Sequence, residues 1–210
     1  MITPRLHHGR TLVIVVTAIV FLTAGLLAGN WMLSRSHELR AAQMFPQPRD
    51  LIDFRLETGD GQPFSRAELE GQWSLMFFGF THCPDICPDT MALLASAMET
   101  MEPMSRNALP QVVFVSVDPE RDRGETLSDY ARWFNDDFKA VTGDHEELGK
   151  LTRHLGMVYY REAADSESGY YNVDHSSSIL LIDPDGRLIA RFPPPLDRDD
   201  LVADLFQLTS

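Results

Sequence analysis

The chain has 210 residues, enough for one folded domain with a full core and an appendage but too few for two ordinary domains. Its 18 Lys and Arg stand against 31 Asp and Glu, a formal net charge of −13. That sign argues against a nucleic-acid partner, because a phosphate backbone is held by basic side chains. The acidity serves solubility, with steering of a cationic partner protein as the alternative.

Residues 11–29, TLVIVVTAIVFLTAGLLAG, carry no charge. Their length approaches the roughly 20 apolar residues with which an α-helix crosses a bilayer. A cleaved signal peptide has an apolar region of only about 7 to 15 residues before a small-x-small site. Here Leu26-Leu27-Ala28 puts a leucine where a small residue belongs, so an uncleaved, single-pass anchor is expected over residues 11–33. Arg5 and Arg10, with no acidic residue before the apolar run, predict a cytoplasmic lead over residues 1–10, which also holds His7 and His8; Arg35 and Arg40 reduce the asymmetry. Trp31 suits an interfacial anchor, and the chain from about residue 34 onward is expected on the periplasmic side of a bacterial inner membrane.

Residues 34–49 combine mixed charge, Pro46 and Pro48, and no apolar period, the composition of a linker, so the folded domain is expected over residues 50–210. Residues 51–56 read as a short strand, ETGDGQPF as a turn, and residues 64–69 as a second strand or helical turn. WSLMFFGF, residues 73–80, is continuously apolar, as in a strand buried on both faces. A helix should follow, because Met91, Leu94, Ala95, Met98 and Met101 recur at helical spacing after Pro88 and Asp89, and Pro103 closes the segment. QVVFVSV, residues 111–117, is another buried strand; residues 126–134 and 145–155 have helical character, and residues 157–161 form the next strand. SILLID, PDG and RLIARF read as a hairpin with type I or II turn chemistry, closed by an amphipathic helix over residues 197–208. The expected architecture is α/β, a central sheet with helices on both faces and an antiparallel hairpin at its edge.

Cys83 and Cys87 are the only cysteines, and both lie in CPDICP between a buried strand and a helix. Free amides and the helix dipole at such a junction stabilise thiolate, the form that attacks disulfides and binds metals. Four residues apart near a helix start, the two sulfurs can lie on one side, close enough to pair or to share a metal. A purely stabilising disulfide is the ordinary alternative; it is disfavoured because so short a loop constrains the unfolded chain little.

GFTHCPDICPDT, SVDPERD and VDHSSSILLID, in that order, resemble the Sco/SenC family of copper-binding, thioredoxin-like proteins implicated in assembling the binuclear copper centre of cytochrome c oxidase. The similarity runs over residues 50–208. It implies a thioredoxin-like fold with a central mixed β-sheet flanked by helices, preceded by one N-terminal transmembrane helix. It also implies copper ligation by Cys83, Cys87 and His175, and as partners cytochrome c oxidase subunit II or another copper-receiving protein together with other copper chaperones. Arg123-Gly124 stands where the family has Thr-Pro, a departure that bears on the loop conformation and not on the ligand set.

Residue chemistry agrees with that implication. Two thiolates and an imidazole suit a soft or borderline cation; thiolate favours Cu(I), Cu(II) is the other accessible state, and zinc competes on ligand type. Structural zinc takes four protein ligands, whereas three leave an open position suited to handing a metal on. An oxidising compartment can close the metal-free pair into a disulfide, so metal loading and redox state are expected to be coupled. The leading function is therefore a metallochaperone rather than an enzyme. The alternative is a thiol-disulfide oxidoreductase with Cys83 and Cys87 as catalytic residues, reducing the cysteines of a copper-receiving protein; only the chaperone needs His175. A peroxiredoxin-like site is weaker still, since CxxxC supplies only a nucleophile and a resolver.

Other residues have plainer roles beside functional ones. His82 borders Cys83 but is read as a spectator, its side chain diverging from that of its neighbour. His145 and His154 are read as surface residues. Met98, Met101 and Met104 have the spacing of a thioether copper entry site and equally that of core filler, the commoner case. Asp118, Glu120, Arg121 and Asp122 follow a buried strand, as the rim of a site or as a solvated charged loop. Asp174 is a candidate to orient His175, although adjacent side chains rarely meet that way.

Overall fold

The structure, a computed structural model, describes residues 8–35, 38–104, 109–166 and 168–209. Residues 1–7, with Arg5 and His7 of the expected lead, lie outside the described residues. The chain divides into two units, Met1–Leu39 and Arg40–Ser210.

The first unit holds one helix, α1 (His8–Arg35). Its stretch Val13–Asn30 has a mean hydropathy of 2.2 and no residue buried against protein, and among the described residues it is the one helix long and apolar enough to cross a membrane. At 1.5 Å per residue it spans about 27 Å, close to the hydrocarbon thickness of a bilayer. Thr17 and Thr23 donate their hydroxyls to the carbonyls of Val13 and Ile19 at 2.9 and 3.0 Å, so neither leaves an unmet donor facing an apolar medium.

The second unit contains β1 (Gln43–Asp50), β2 (Leu56–Thr58), β3 (Pro63–Phe64), β4 (Ser74–Gly79), α2 (Ile86–Met101), β5 (Gln111–Ser116), α3 (Gly124–Arg132), β6 (Lys139–Thr142), α4 (His145–Leu155), β7 (Tyr159–Arg161), β8 (Val173–His175), β9 (Ile179–Ile182), β10 (Arg187–Phe192) and α5 (Arg198–Thr209). Eight strands form one mixed sheet in the order β1-β10-β9-β4-β5-β6-β2-β3, and β7 pairs with β8 in a separate two-stranded sheet. β4, β5 and β6 run parallel, while β9 is antiparallel to β4.

The sheet explains the apolar runs. β4 lies between β5 and β9, and all six of its residues are buried. Leu75 and Phe77 pack with α2, α3 and α5 on one face; Met76 and Phe78 pack with α4 and the segment holding Leu51 and Phe54 on the other. α4 shows why the helices begin and end where they do. The Asp144 carboxylate accepts the Glu147 amide at 2.9 Å at its start, and Gly156, at φ 72°, closes it in a left-handed conformation that side chains disfavour.

Several expectations need correction. Residues 43–50, read as part of a linker, form β1 antiparallel to β10, with a register break between Met44 and Arg49 that spans the two prolines. The segment before it is fastened to α5, where the buried Asp204 carboxylate accepts the amides of Arg40, Ala41 and Ala42 at 2.9, 2.8 and 2.7 Å. The folded unit thus begins near residue 40, and β1 rather than the β9–β10 hairpin forms the edge. Residues 51–55 are irregular, with Leu51 and Phe54 buried at non-alternating spacing. β6, only four residues long, carried too short a pattern to be read as a strand. β7 leaves the main sheet and pairs instead with β8, Tyr159 opposite His175.

Candidate metal centre

Parallel strands aim their carboxyl ends at one edge of a sheet, where ligand sites gather. The loop from Phe80 to Asp85 leaves β4 there, and residues 117–123 leave β5 beside it. Cys83 lies in the first loop, partly buried, and Cys87 in the first turn of α2, fully buried. His175 ends β8, 88 residues from Cys87, yet its Nε2 is 3.3 Å from the Cys87 sulfur. The two sulfurs and an imidazole nitrogen lie within 4.8 Å of one another, close enough to share one ion.

The local backbone makes this possible. Asp85 precedes α2 without a side-chain capping bond. The Cys83 sulfur takes that place, accepting the backbone amides of Asp85 and Cys87, as the positive end of a helix favours. Gly79 supplies the space for Cys87: a Cβ at that position would stand 2.6 Å from the Cys87 sulfur and 2.8 Å from the Phe114 ring. His175 is held edge-on by Phe77 and Phe80, with ring centroids 6.2 and 5.9 Å away. Its Nδ1 donates to the Ser176 carbonyl at 3.2 Å, which leaves the Nε2 lone pair directed at the sulfurs.

The two thiols share their protons unequally. The hydrogen bond between the two thiols, with help from the backbone amides of Asp85 and Cys87 and against the opposing effect of burial, holds the Cys83 pKa down to about 5. The same hydrogen bond, then burial, pushes Cys87 well above the ordinary thiol range. At neutral pH the pair carries one thiolate, on the more exposed sulfur. Alkylation of the reduced chain by iodoacetamide should therefore weaken only as pH falls through about 5. A midpoint near the ordinary thiol value of about 8.5 would contradict this proton assignment.

The acidic loop is not a solvated one throughout. Asp118 and Asp122 are buried at 1 % and 0 % exposure. Asp122 accepts the Thr81 amide at 2.7 Å, the Thr81 hydroxyl at 2.5 Å and the Ser116 hydroxyl at 2.6 Å, which ties the cysteine loop to the end of β5. Asp118 pairs with Arg121 and accepts the Tyr171 hydroxyl at 2.7 Å. Burial and that carboxylate push the Tyr171 pKa up to about 12, so the hydroxyl remains a donor. Glu120 alone faces outward, pairing with His145 at 2.8 Å and Arg161 at 3.5 Å. At the departure from the family pattern, Gly124 adopts φ 59° to turn the chain into α3, and Arg123 donates to the Pro119 carbonyl at 2.8 Å.

His82 is exposed and turned from the sulfurs toward Thr81, 2.9 Å away. His145 is exposed; His154 is partly buried and bonded to the Asp50 carbonyl at 2.9 Å. Met98 and Met101 are core residues, and Met104 lies exposed beyond the end of α2. Asp174 is exposed, because successive residues of β8 face opposite ways, so the Ser176 carbonyl does what Asp174 was a candidate to do. Sequence reading missed Gly79, Phe77, Phe80 and Tyr171. Gly79 left a signal, a glycine ending an apolar strand just before the cysteine motif.

A mixed sheet with a CxxxC junction at the end of a central strand, faced by a histidine from a distant segment, defines a thioredoxin-like protein with a three-donor thiolate and imidazole site. The chain belongs to the SCO1/SenC family, whose profile matches residues 44–210. It is 42 % identical over 134 residues to the mitochondrial SCO2 homologue of Mus musculus, an alignment covering 64 % of this chain and 52 % of that protein; it therefore spans about half the length of that relative. It is 34 % identical over 165 residues to a Stutzerimonas stutzeri protein named for copper binding, covering 79 % of each. Arabidopsis thaliana ScoI, solved with copper bound, superposes with a TM-score of 0.68 at 31 % identity, covering 75 % of this chain and 98 % of that one.

Proposed function

We propose that this chain is a membrane-anchored copper metallochaperone that carries one copper ion on Cys83, Cys87 and His175 and delivers it to the binuclear centre of cytochrome c oxidase. The observation that carries the reading is the convergence of the Cys83 and Cys87 sulfurs and His175 Nε2 within 4.8 Å of one another. The donor set fits copper: two sulfurs satisfy Cu(I), and an imidazole beside thiolate accommodates Cu(II). α1 is the anchor, with residues 40–210 on the periplasmic side of a bacterial inner membrane. The domain divisions follow from this reading, with 1–10 as a cytoplasmic lead and 11–33 as the span.

The proton inventory suits a carrier. Cys83 is already thiolate at neutral pH and His175 offers a lone pair, so loading expels about one proton, from Cys87. Return of that proton from the acceptor or solvent weakens one sulfur ligand and aids release. The test is transfer. The full chain in detergent, loaded with copper, is expected to metallate the metal-free copper domain of oxidase subunit II, seen as the appearance of its binuclear-centre absorption. Retention of copper by the loaded chain under conditions where free copper metallates that domain would count against the proposal.

A second reading draws on the same sulfurs. An accessible, low-pKa Cys83 beside a buried, high-pKa Cys87 is also the arrangement of an attacking and a resolving thiol. In that role the Cys83 thiolate attacks a substrate disulfide and expels one of its sulfurs as thiolate. Cys87 then attacks the mixed disulfide, releasing the second substrate thiolate and closing Cys83–Cys87. His175 has no part in these steps.

A further inference from the structure

Among the described residues β8 shares no backbone ladder with the main sheet, since β7 and β8 pair with each other. Residues 176–178 tie His175 to β9 of that sheet, so its place at the cysteine loop depends on this short link and on side-chain contacts made from the other end of β8. Arg121 touches both sides. Its guanidinium is paired with buried Asp118, stacks 3.7 Å from the Tyr171 ring centroid, lies 5.5 Å from that of Phe80 and donates through Nη1 to the Tyr171 carbonyl at 3.1 Å. Phe80 is the residue after β4 and one of the two rings that hold His175 edge-on. Tyr171 leads into β8 and returns its hydroxyl to Asp118. The remaining nitrogen, Nη2, is buried without a hydrogen-bond partner among the described residues, a cost tolerated where position matters. Arg161 also stacks on Tyr171, at 4.7 Å, but it pairs with Glu120.

We infer that Arg121 is a positioning residue that holds His175 against Cys87 and thereby sets how well the site binds Cu(II) relative to Cu(I). The inference rests on the copper reading above for its second half only. Two thiolates suffice for the soft Cu(I), whereas Cu(II) gains more from a correctly placed imidazole nitrogen. Losing Arg121 should free β8 while leaving the cysteine loop fastened through Thr81 and Asp122. Lysine is not a replacement, because it offers neither the planar stack nor the fork.

The test compares Arg121→Met, Arg121→Lys and Arg161→Met in the full chain in detergent. In the metal-free protein, nitrogen-15 resonances of the His175 ring are expected to shift in both Arg121 variants and to hold their positions in Arg161→Met. In competition titrations with each copper ion, Cu(II) affinity is expected to fall about 10–100-fold in the Arg121 variants, the usual effect of losing an outer partner of a ligand. Cu(I) affinity should change by less than about threefold, because the thiolates are untouched. Because Arg121→Met alone leaves Asp118 charged and unpaired, the Asp118→Asn/Arg121→Met double variant serves where the single one does not fold. Unmoved His175 resonances in a folded Arg121 variant would overturn the inference, as would equal losses for both ions. If the wild-type chain binds neither ion while the variant resonances move, the copper reading fails and the positioning role stands.

Discussion

Replacing either Cys83 or Cys87 by serine is expected to abolish tight copper binding, lowering affinity by on the order of a thousandfold or more, about 4 kcal/mol. Each substitution removes one of three donors and puts a hard hydroxyl where copper, above all Cu(I), prefers sulfur. The fold should survive. Cys83 is partly buried and no crosslink is lost, so Cys83→Ser should cost under about 1 kcal/mol. Cys87 is fully buried beside Gly79 and Phe114, where a hydroxyl is a poorer guest, and Cys87→Ser should cost about 1–3 kcal/mol. Copper titration with thermal unfolding separates the two effects. Unchanged affinity in either folded variant would mean that the copper lies elsewhere.

Replacing His175 by alanine is expected to split copper handling from thiol chemistry. Cu(II) affinity should fall by about a hundredfold or more, close to 3 kcal/mol, because the Nε2 lone pair beside the Cys87 sulfur is gone. Exchange between thiols and disulfides depends on the attacking thiolate, the leaving thiol and access, so the Cys83–Cys87 pair should still oxidise and reduce. In a copper-limited strain, His175→Ala should impair oxidase assembly. Wild-type assembly in that strain, with intact disulfide reduction, would favour the reductase over the chaperone.

Sequence legibility followed the range of the interactions. β4 and β5 could be read because both faces of each are buried, which makes the runs continuously apolar. α2, α4 and α5 could be read because helical spacing and caps are local. β1 could not, because its order comes from pairing with the distant β10 and from the fastening of residues 40–42 just before it by Asp204, more than 160 residues from them, while its prolines argue for a linker. The short strands of the β7–β8 sheet carry almost no period, so the departure of residues 159–161 from the central sheet left no local trace.

The site divides in the same way. CPDICP announces thiolate chemistry by its place between strand and helix. His175, by contrast, entered only through resemblance, since nothing local in VDHS points to a sulfur 88 residues away. The plainer readings fared differently. Burial of Met98 and Met101 fits core filler, whereas the loop after β5 proved to hold two buried carboxylates that fasten the site together.

The coordination itself is the most direct test. X-ray absorption at the copper edge of the full chain, reconstituted with one equivalent of Cu(II), should show two sulfur scatterers and an imidazole nitrogen from Cys83, Cys87 and His175, with the imidazole contribution lost in His175→Ala. A spectrum with only nitrogen and oxygen scatterers, or one unchanged by His175→Ala, would contradict the three-donor site.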